Sequence, residues 1–129
     1  MFEYEAIDHI ALSVHDPKTM LAFYVDTLGC KVERIYEDKG QYLLRAGNAI
    51  IALKAIKEGV DRNARRNMDH ICLRLKHFDA EAIHRELTAK GVSCGKALPK
   101  DGATGESLAY FIRDPEGNAI ELKAPVTAG

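Results

Sequence analysis

With 129 residues, of which 47% are hydrophobic and 29% are charged, the chain can bury one compact core, or the cores of two small halves that depend on each other. Its net charge of −1 argues against nucleic acid or an anionic membrane surface as the main partner. No apolar stretch approaches the roughly 20 residues of a membrane-spanning helix.

The N-terminal residues and the cysteines indicate the compartment. Residues 1–5 lack the basic and then apolar run of a signal peptide. The three cysteines, Cys30, Cys72 and Cys94, form no C-x-x-C pair, so neither a disulfide framework nor a zinc knuckle is indicated. We therefore expect a soluble, cytoplasmic protein.

The first half of the chain predicts one strand, one helix and three further strands. Residues 7–14 alternate apolar and more polar side chains, which is the period of a half-buried strand. Asp16 and Pro17 suit the start of a helix, and Gly29 suits its end. The apolar stripe of this helix consists of Leu21, Tyr24, Val25 and Leu28. The next strands are expected at 30–37, 41–45 and 49–55.

The second half repeats this order after a polar segment, 56–67, that we predict to be a linker. A strand at 68–76 leads to Asp79, which can cap a helix that ends at Gly91. The glycine-containing stretch 99–105 predicts a mobile loop that could close over a substrate. The remaining strands are expected at 92–97, 107–113 and 118–124, the last two joined by a turn at 114–117.

Two pairs of matching segments indicate an internal duplication. Residues 7–14 resemble residues 68–75, and residues 51–55 resemble residues 120–124. A single domain of residues 1–129, built of two βαβββ modules at 5–56 and 67–125, explains both matches. The expected fold class is α+β, with the two modules packed as a pseudosymmetric pair.

Two histidines and one glutamate stand out in these modules. His9 and His70 face away from the apolar side of their strands, and the same parity directs Glu121 to that face. A carboxylate in mid-strand between isoleucine and leucine needs water, a partner or a cation. Two histidines and one carboxylate are a standard ligand set for a divalent metal, with positions left for substrate. The alternative is that each histidine is a hydrogen-bonded or surface residue.

Several motifs resemble those of the vicinal oxygen chelate superfamily, which includes glyoxalase I, bleomycin-resistance proteins, extradiol dioxygenases and thiol transferases. They are the two D-H-I-x-L lines at 8–12 and 69–73, the helix end at 23–29 and the segment 111–122. The resemblance implies paired βαβββ modules that form an open, cupped mixed β-sheet around a divalent metal: Zn, Ni, Mn, Co or Fe(II). It also implies a homodimer, often with His9 of one subunit completing a site that holds His70 and Glu121 of the other.

The resemblance places the four metal-facing positions at His9, Ala52, His70 and Glu121. Glyoxalase I has a carboxylate at the second position, where it binds the metal and helps to move a proton, and alanine can do neither. Phe111 stands where thiol transferases and extradiol dioxygenases tend to carry a tyrosine whose hydroxyl contacts the substrate. The residues therefore depart from the pattern of each named activity.

Four residues are expected to line the substrate pocket: Ala52, Lys54, Cys72 and Phe111. Cys72 faces the same way as His70, so it lines the pocket or acts as a small filler. Basic residues could bind an anionic substrate near the metal, but we expect most of those near strand ends to be solvated. These residues are Arg45, Lys54, Arg113 and Lys123.

The sequence thus predicts a metal-dependent, glyoxalase-like enzyme of the lyase or isomerase type. It would chelate two neighbouring oxygens of a small substrate and stabilise an enolate or oxyanion. One alternative is an extradiol-type ring-cleaving dioxygenase that uses Fe(II) or Mn(II). The other is a non-catalytic drug-binding protein of the bleomycin-resistance type, although such proteins commonly lose the ligands that are intact here.

Overall fold

A computed structural model describes residues 3–56, 68 and 70–126 of the chain. The chain divides into two compact units, Met1–Ala64 and Arg65–Gly129. Each unit contains one four-stranded mixed sheet and few helical turns, which confirms the α+β fold class. Asp69 and all of the predicted linker except Ile56 lie outside the described residues.

The first unit contains four strands and one short α-helix. Its strands are β1 (His9–Val14), β2 (Lys31–Tyr36), β3 (Gln41–Ala46) and β4 (Ala49–Ala55), with α1 (Pro17–Ala22) between β1 and β2. The strand order in the sheet is β1-β4-β3-β2. β1 runs parallel to β4, and the other neighbours are antiparallel.

The second unit repeats this arrangement. Its elements are β5 (His70–Arg74), α2 (Ala80–Ala89), β6 (Leu98–Lys100), β7 (Ser107–Arg113) and β8 (Ala119–Lys123). The sheet order is β5-β8-β7-β6, with β5 parallel to β8 and the other neighbours antiparallel. Neither helix, nor any other helix in the described part of the chain, is long and apolar enough to cross a membrane.

The apolar face of the second sheet packs against α2 and its entry. Ile71, Ile120 and Leu122 are almost fully buried on this face. Tyr110 belongs to the same face, and its hydroxyl donates a hydrogen bond to the carbonyl oxygen of Ala80 at 2.8 Å. Because side chains alternate along a strand, the opposite face of the sheet is left for polar residues.

The predicted strand at 92–97 is wrong, because β6 begins only at Leu98 and overlaps the stretch 99–105 that was predicted to be a loop. The backbone N–H of Val92 donates to the carbonyl oxygen of Leu87 at 2.8 Å, so the residues after α2 close the end of the helix instead. Proline lacks a backbone N–H and so disfavours the interior of a sheet, but Pro99 lies in β6, which is the edge strand of this sheet and pairs with β7. Edge strands tolerate proline.

The helix predicted after Asp16 begins as expected and then changes form. Asp16 caps it, because its Oδ1 accepts a hydrogen bond from the N–H of Thr19 at 3.2 Å. The α-helix ends at Ala22, and Phe23–Thr27 form a π-helical turn. A π-helical turn rotates the following side chains around the axis. The buried residues are Met20, Phe23 and Tyr24, which have the i, i+3, i+4 spacing of one helix face, and only Tyr24 belongs to the predicted stripe.

Two glycines with the same backbone conformation give a matched test of the packing in the first unit. Gly40 has φ +61° and Gly47 has φ +62°. A Cβ at position 40 would lie 2.8 Å from the Cβ of Ala55, whereas a Cβ at position 47 would meet no atom within 4 Å. We expect Gly47→Ala to lower the free energy of unfolding by about 1 kcal/mol, through backbone strain alone.

Gly40→Ala adds the steric clash to the same strain and should cost a further ~1–3 kcal/mol. Urea unfolding monitored by circular dichroism measures both losses. Equal losses in the two variants would show that the turn at Gly40 relaxes away from β4.

Candidate functional site

The polar face of the second sheet brings together residues from its three longest strands. Parallel pairing places Cys72 of β5 opposite Glu121 of β8, with His70 two residues before Cys72 on the same face. Antiparallel pairing places Phe111 of β7 opposite Glu121 on its other side. Side chains of directly paired residues share one face of a sheet. Glu121 therefore lies at the centre of this group.

The carboxylate of Glu121 is buried and faces the ring of His70. Glu121 is only 4% exposed. Its Oε1 lies 3.5 Å from Nε2 of His70, whose side chain is 34% exposed. Two ligands that each bind one metal ion at about 2.1 Å are separated by about 3 Å, so this distance suits a shared ion. His70 and Glu121 thus fit two of the predicted ligand positions.

Cys72 contacts the second oxygen of the same carboxylate. Its Sγ donates a hydrogen bond to Oε2 of Glu121 at 3.3 Å. Partial burial of the thiol, together with this hydrogen bond and the negative charge of Glu121, raises the pKa of Cys72 to about 11. Cys72 is therefore a neutral thiol at neutral pH, which acts as a donor rather than as a nucleophile.

Phe111 covers one side of His70. The two rings contact edge to face, with 5.3 Å between their centroids. The ammonium of Lys100 lies 5.6 Å from the centroid of the Phe111 ring. Phe111 is 39% exposed, so its ring both limits the movement of the imidazole and presents apolar surface beside it.

A cavity of about 190 Å³ lies over this group. Its floor is formed by the sheet residues His70, Cys72, Arg74, Glu121 and Lys123. The loop 101–104 forms its other wall. The predicted loop 99–105 thus contains residues that line the site, although its first residues belong to β6.

Lys123 fixes this loop to the sheet. Its Nζ donates to the carbonyl oxygen of Gly105 at 2.9 Å and also to Oγ of Ser107. A Cβ at position 102 would lie 2.6 Å from Cε of Lys123, so the backbone at Gly102 passes directly over the lysine. The expectation that most basic residues near strand ends are solvated fails for Lys123, which is 3% exposed because the loop covers it.

The corresponding face of the first sheet has alanines at the positions of the central polar residues. Ala52 is paired with Ala11, at the positions that correspond to Glu121 and Cys72. Ala52 is 2% exposed, and Lys54 is exposed. The duplication therefore preserves the pairing of the strands while the first unit lacks the buried carboxylate.

His9 is the remaining predicted ligand, and it lies in the first unit. Its side chain is 59% exposed, and its Nδ1 lies 2.6 Å from Oδ1 of Asp8. Strand parity alone would direct Asp8 to the opposite face from His9, but Asp8 precedes β1 and so is not bound by that rule. A carboxylate on Nδ1 leaves Nε2 available, which is the usual arrangement behind a metal-binding histidine.

Within the described residues, no cluster of three or more histidine, cysteine, aspartate or glutamate side chains is arranged to hold a metal ion. The second unit places two of the predicted ligands, His70 and Glu121, next to each other. The ligand set of His9, His70 and Glu121 remains a prediction.

Arg74, Asp101 and Thr104 line the cavity but were not among the predicted site residues. Parity could have identified Arg74, because it lies two residues after Cys72 on the face that carries His70. Asp101 and Thr104 lie in the stretch 99–105 that was predicted to close over a substrate, but no sequence signal singles out these two side chains, whose position depends on how the loop folds over Lys123.

This fold and site define a protein of the glyoxalase-like class. The chain belongs to the Glyoxalase/Bleomycin resistance protein/Dioxygenase superfamily, whose sequence profile matches residues 6–122. The resemblance seen in the sequence is thereby confirmed. The superfamily includes enzymes such as glyoxalases and dioxygenases. Which reaction a member performs depends on the residues of its site.

Three relatives illustrate the range of similar proteins. The metallothiol transferase FosB of Staphylococcus epidermidis is 28% identical over 93% of this chain and 82% of its own length. The virulence protein STM3117 of Salmonella typhimurium is 27% identical over 92% of this chain and 83% of its own length. The structure of the integron cassette protein VCH_CASS1 of V. cholerae superposes with a TM-score of 0.80 at 25% identity, covering 98% of this chain and 99% of that chain.

Proposed function

We propose that the chain is a metal-dependent enzyme of the vicinal oxygen chelate type, acting as a lyase or isomerase on a small substrate. The observation that carries this proposal is the buried Glu121 carboxylate, whose Oε1 faces Nε2 of His70 at 3.5 Å on the floor of a small cavity. A buried carboxylate requires compensation by a partner or a cation. A divalent ion beside a histidine provides that compensation.

The residues of the chain would divide the work as follows. His70 and Glu121 would hold a divalent ion, which would act as a Lewis acid on two neighbouring oxygens of the substrate. Phe111 contacts the His70 ring and would restrict it, and the loop 101–104, which lines the cavity, would limit access of water. Cys72 donates to Glu121 and so keeps the second carboxylate oxygen oriented.

His9 would supply the third ligand through Nε2. The contact between its Nδ1 and Asp8 supports this role, because it fixes the ring and the tautomer. We further propose that the protein works in the cytoplasm as a homodimer, with the ligands shared between subunits. The three free cysteines suit a reducing compartment.

Binding of a divalent ion tests the proposal. We expect protein purified without a histidine tag or chelator to hold about one ion of Mn, Fe, Co, Ni or Zn per chain. After chelation, adding the preferred ion at 100 times its Kd should stabilise the protein by about 2.7 kcal/mol, measured by thermal unfolding. A protein that arrives metal-free and is stabilised by none of the five ions would refute the proposal.

Thiol transfer is a second candidate reaction. It is favoured by the similarity to the metallothiol transferase FosB over 93% of the chain. It also needs no carboxylate at position 52 to remove a proton from carbon.

Proton NMR in D₂O separates the two reactions. A lyase or isomerase that forms an enolate should exchange the C–H next to a carbonyl group in a panel of small hydroxycarbonyl compounds. A thiol transferase should instead consume an added thiol together with an electrophilic acceptor such as an epoxide, in which a C–S bond forms as the ring C–O bond breaks, without such exchange.

A further inference from the structure

Two positive charges lie side by side at one end of the cavity. Arg74 of β5 and Lys123 of β8 are directly paired in the parallel register, and both side chains line the cavity. Like charges at directly paired positions destabilise a sheet. This arrangement therefore has a cost in the absence of a negative partner.

Within the described residues, no charged side chain neutralises Arg74 and Lys123. Lys123 is 3% exposed, and the groups that accept its hydrogen bonds are a carbonyl oxygen and a hydroxyl, both uncharged. Among the residues that the structure describes, neither Lys123 nor Arg74 takes part in an ion pair. A buried ammonium without a counter-charge carries a large desolvation cost, which a bound anion would offset.

The two carboxylates that line the cavity do not supply this counter-charge. The oxygens of Glu121 face His70 and Cys72. Asp101 lies on the exposed loop and forms no ion pair with Arg74 or Lys123 in the described structure. Arg74, with its planar fork of donors, is the cavity residue best suited to bind an oxyanion in two contacts.

We propose that the end of the cavity formed by Arg74 and Lys123 is a subsite for an anionic oxygen group, a carboxylate or a tetrahedral phosphate or phosphonate. Arg74 binds the anion directly, and the charge of Lys123 strengthens the binding from beneath the loop. The assignment of this anion to the substrate rests on the proposed function. It defines the substrate class as a small oxyacid that reaches from Arg74 to the His70–Glu121 pair.

Anion binding to the full chain after chelation tests the subsite without any reaction. Inorganic phosphate and acetate are titrated separately by calorimetry, with acetamide as the uncharged probe. We expect phosphate or acetate to bind and acetamide not to bind. Arg74→Gln should weaken the binding at least about 10-fold, because it removes a charge-assisted hydrogen-bond donor.

Two further variants control this result. Arg85→Gln removes the same charge from an exposed position on α2, outside the cavity, and should leave anion affinity nearly unchanged. Arg74→Lys retains the charge and should bind more tightly than Arg74→Gln. No saturable binding to the wild type, or equal loss in Arg74→Gln and Arg85→Gln, would overturn the subsite.

Separate measurements of metal binding and anion binding distinguish failure of the subsite from failure of the proposed function. In the chelated protein, Glu121→Gln removes a negative charge near the subsite, so anion affinity should stay equal or rise. Anion binding without any metal binding would leave the subsite intact and refute the proposed function. Metal binding without anion binding would support the proposed function and overturn the subsite.

Discussion

Replacing Glu121 by glutamine is expected to abolish tight binding of a divalent ion while the protein stays folded. Glutamine has nearly the same volume and keeps an oxygen that can accept from Cys72, but it removes the negative charge that faces His70. Loss of a residue that merely supports a ligand lowers metal affinity 10–100-fold, so loss of a ligand should cost at least about 100-fold. Competition with a fluorescent chelator measures the affinity.

The matched control is Glu106→Gln. Glu106 is exposed in the same unit and does not line the cavity. Glu106→Gln removes the same charge as Glu121→Gln but from outside the cavity, so the metal affinity of this variant should equal that of the wild type. Unchanged affinity in Glu121→Gln would place the metal elsewhere, and an equal loss in both variants would indicate a long-range electrostatic effect.

Mixing two defective variants extends this prediction to the origin of the third ligand. If His9 of one subunit joins Glu121 of the other, then His9→Ala and Glu121→Gln refolded together should regain metal in about a quarter of the sites, because half of the dimers are mixed and each has one intact site. If His9 and Glu121 of one chain bind the same ion, mixing the two variants restores no metal binding. The chelator competition assay reads out both cases.

Strand parity explains why so much of the site was predictable from the sequence. Side chains alternate between the two faces of a sheet, so the apolar residues of β5 and β8 determine where His70, Cys72 and Glu121 point. The repeat then identified β5 and β8 as equivalents of β1 and β4, which the observed pairing confirms. Local periodicity was therefore sufficient to predict which face of the sheet each of these side chains occupies.

The features that were not predicted depend on contacts between segments distant in sequence. Lys123 is buried because the loop around Gly102 crosses over it, and a period-two pattern carries no information about such a covering segment. β6 forms because β7 offers it an edge, which outweighs the low strand propensity of Pro99. The contact of Asp8 with His9 follows from the irregular backbone before β1.

The two units share strand pairing but differ in the polar residues on the corresponding faces of their sheets. Both sheets have the same strand order, and their parallel strands pair in the same register. In the second unit the buried carboxylate of Glu121 accepts a hydrogen bond from the exposed Cys72, where the first unit has the two alanines Ala52 and Ala11. A hydrogen-bonded pair contributes little to stability when apolar groups can replace both partners. Its presence in one unit alone therefore favours a role in function.

Asp114→Ala is expected to cause the largest loss of stability outside the apolar core. Asp114 is 4% exposed, and its Oδ1 accepts hydrogen bonds from the backbone N–H groups of Glu116 and Asn118, both at 2.9 Å. Its Oδ2 accepts from the side-chain amide of Asn118 at 2.7 Å. Alanine leaves these donors unsatisfied in a half-buried turn, so the free energy of unfolding should fall by about 2–4 kcal/mol in urea titrations.

Asp114→Asn and Asp38→Ala control this prediction. Asparagine keeps one acceptor oxygen, so its loss should be clearly smaller than that of alanine. Asp38 is exposed in the first unit, and its removal should change stability by no more than about 0.5 kcal/mol. A loss for Asp114→Ala as small as that for Asp38→Ala would show that water replaces the carboxylate in the turn.

The turn at Asp114 also determines how β8 begins, and this links the stability of the hairpin to the site. Ala119, the first residue of β8, follows Asn118 directly, and Glu121 lies two residues further along the strand. A slip of one residue in this hairpin would turn Glu121 to the opposite face of the sheet. Asp114→Ala should therefore lower both stability and metal affinity, whereas Glu121→Gln should lower metal affinity alone. If Asp114→Ala lost stability but bound metal as the wild type does, packing of β8 against β5 would be sufficient to hold its register.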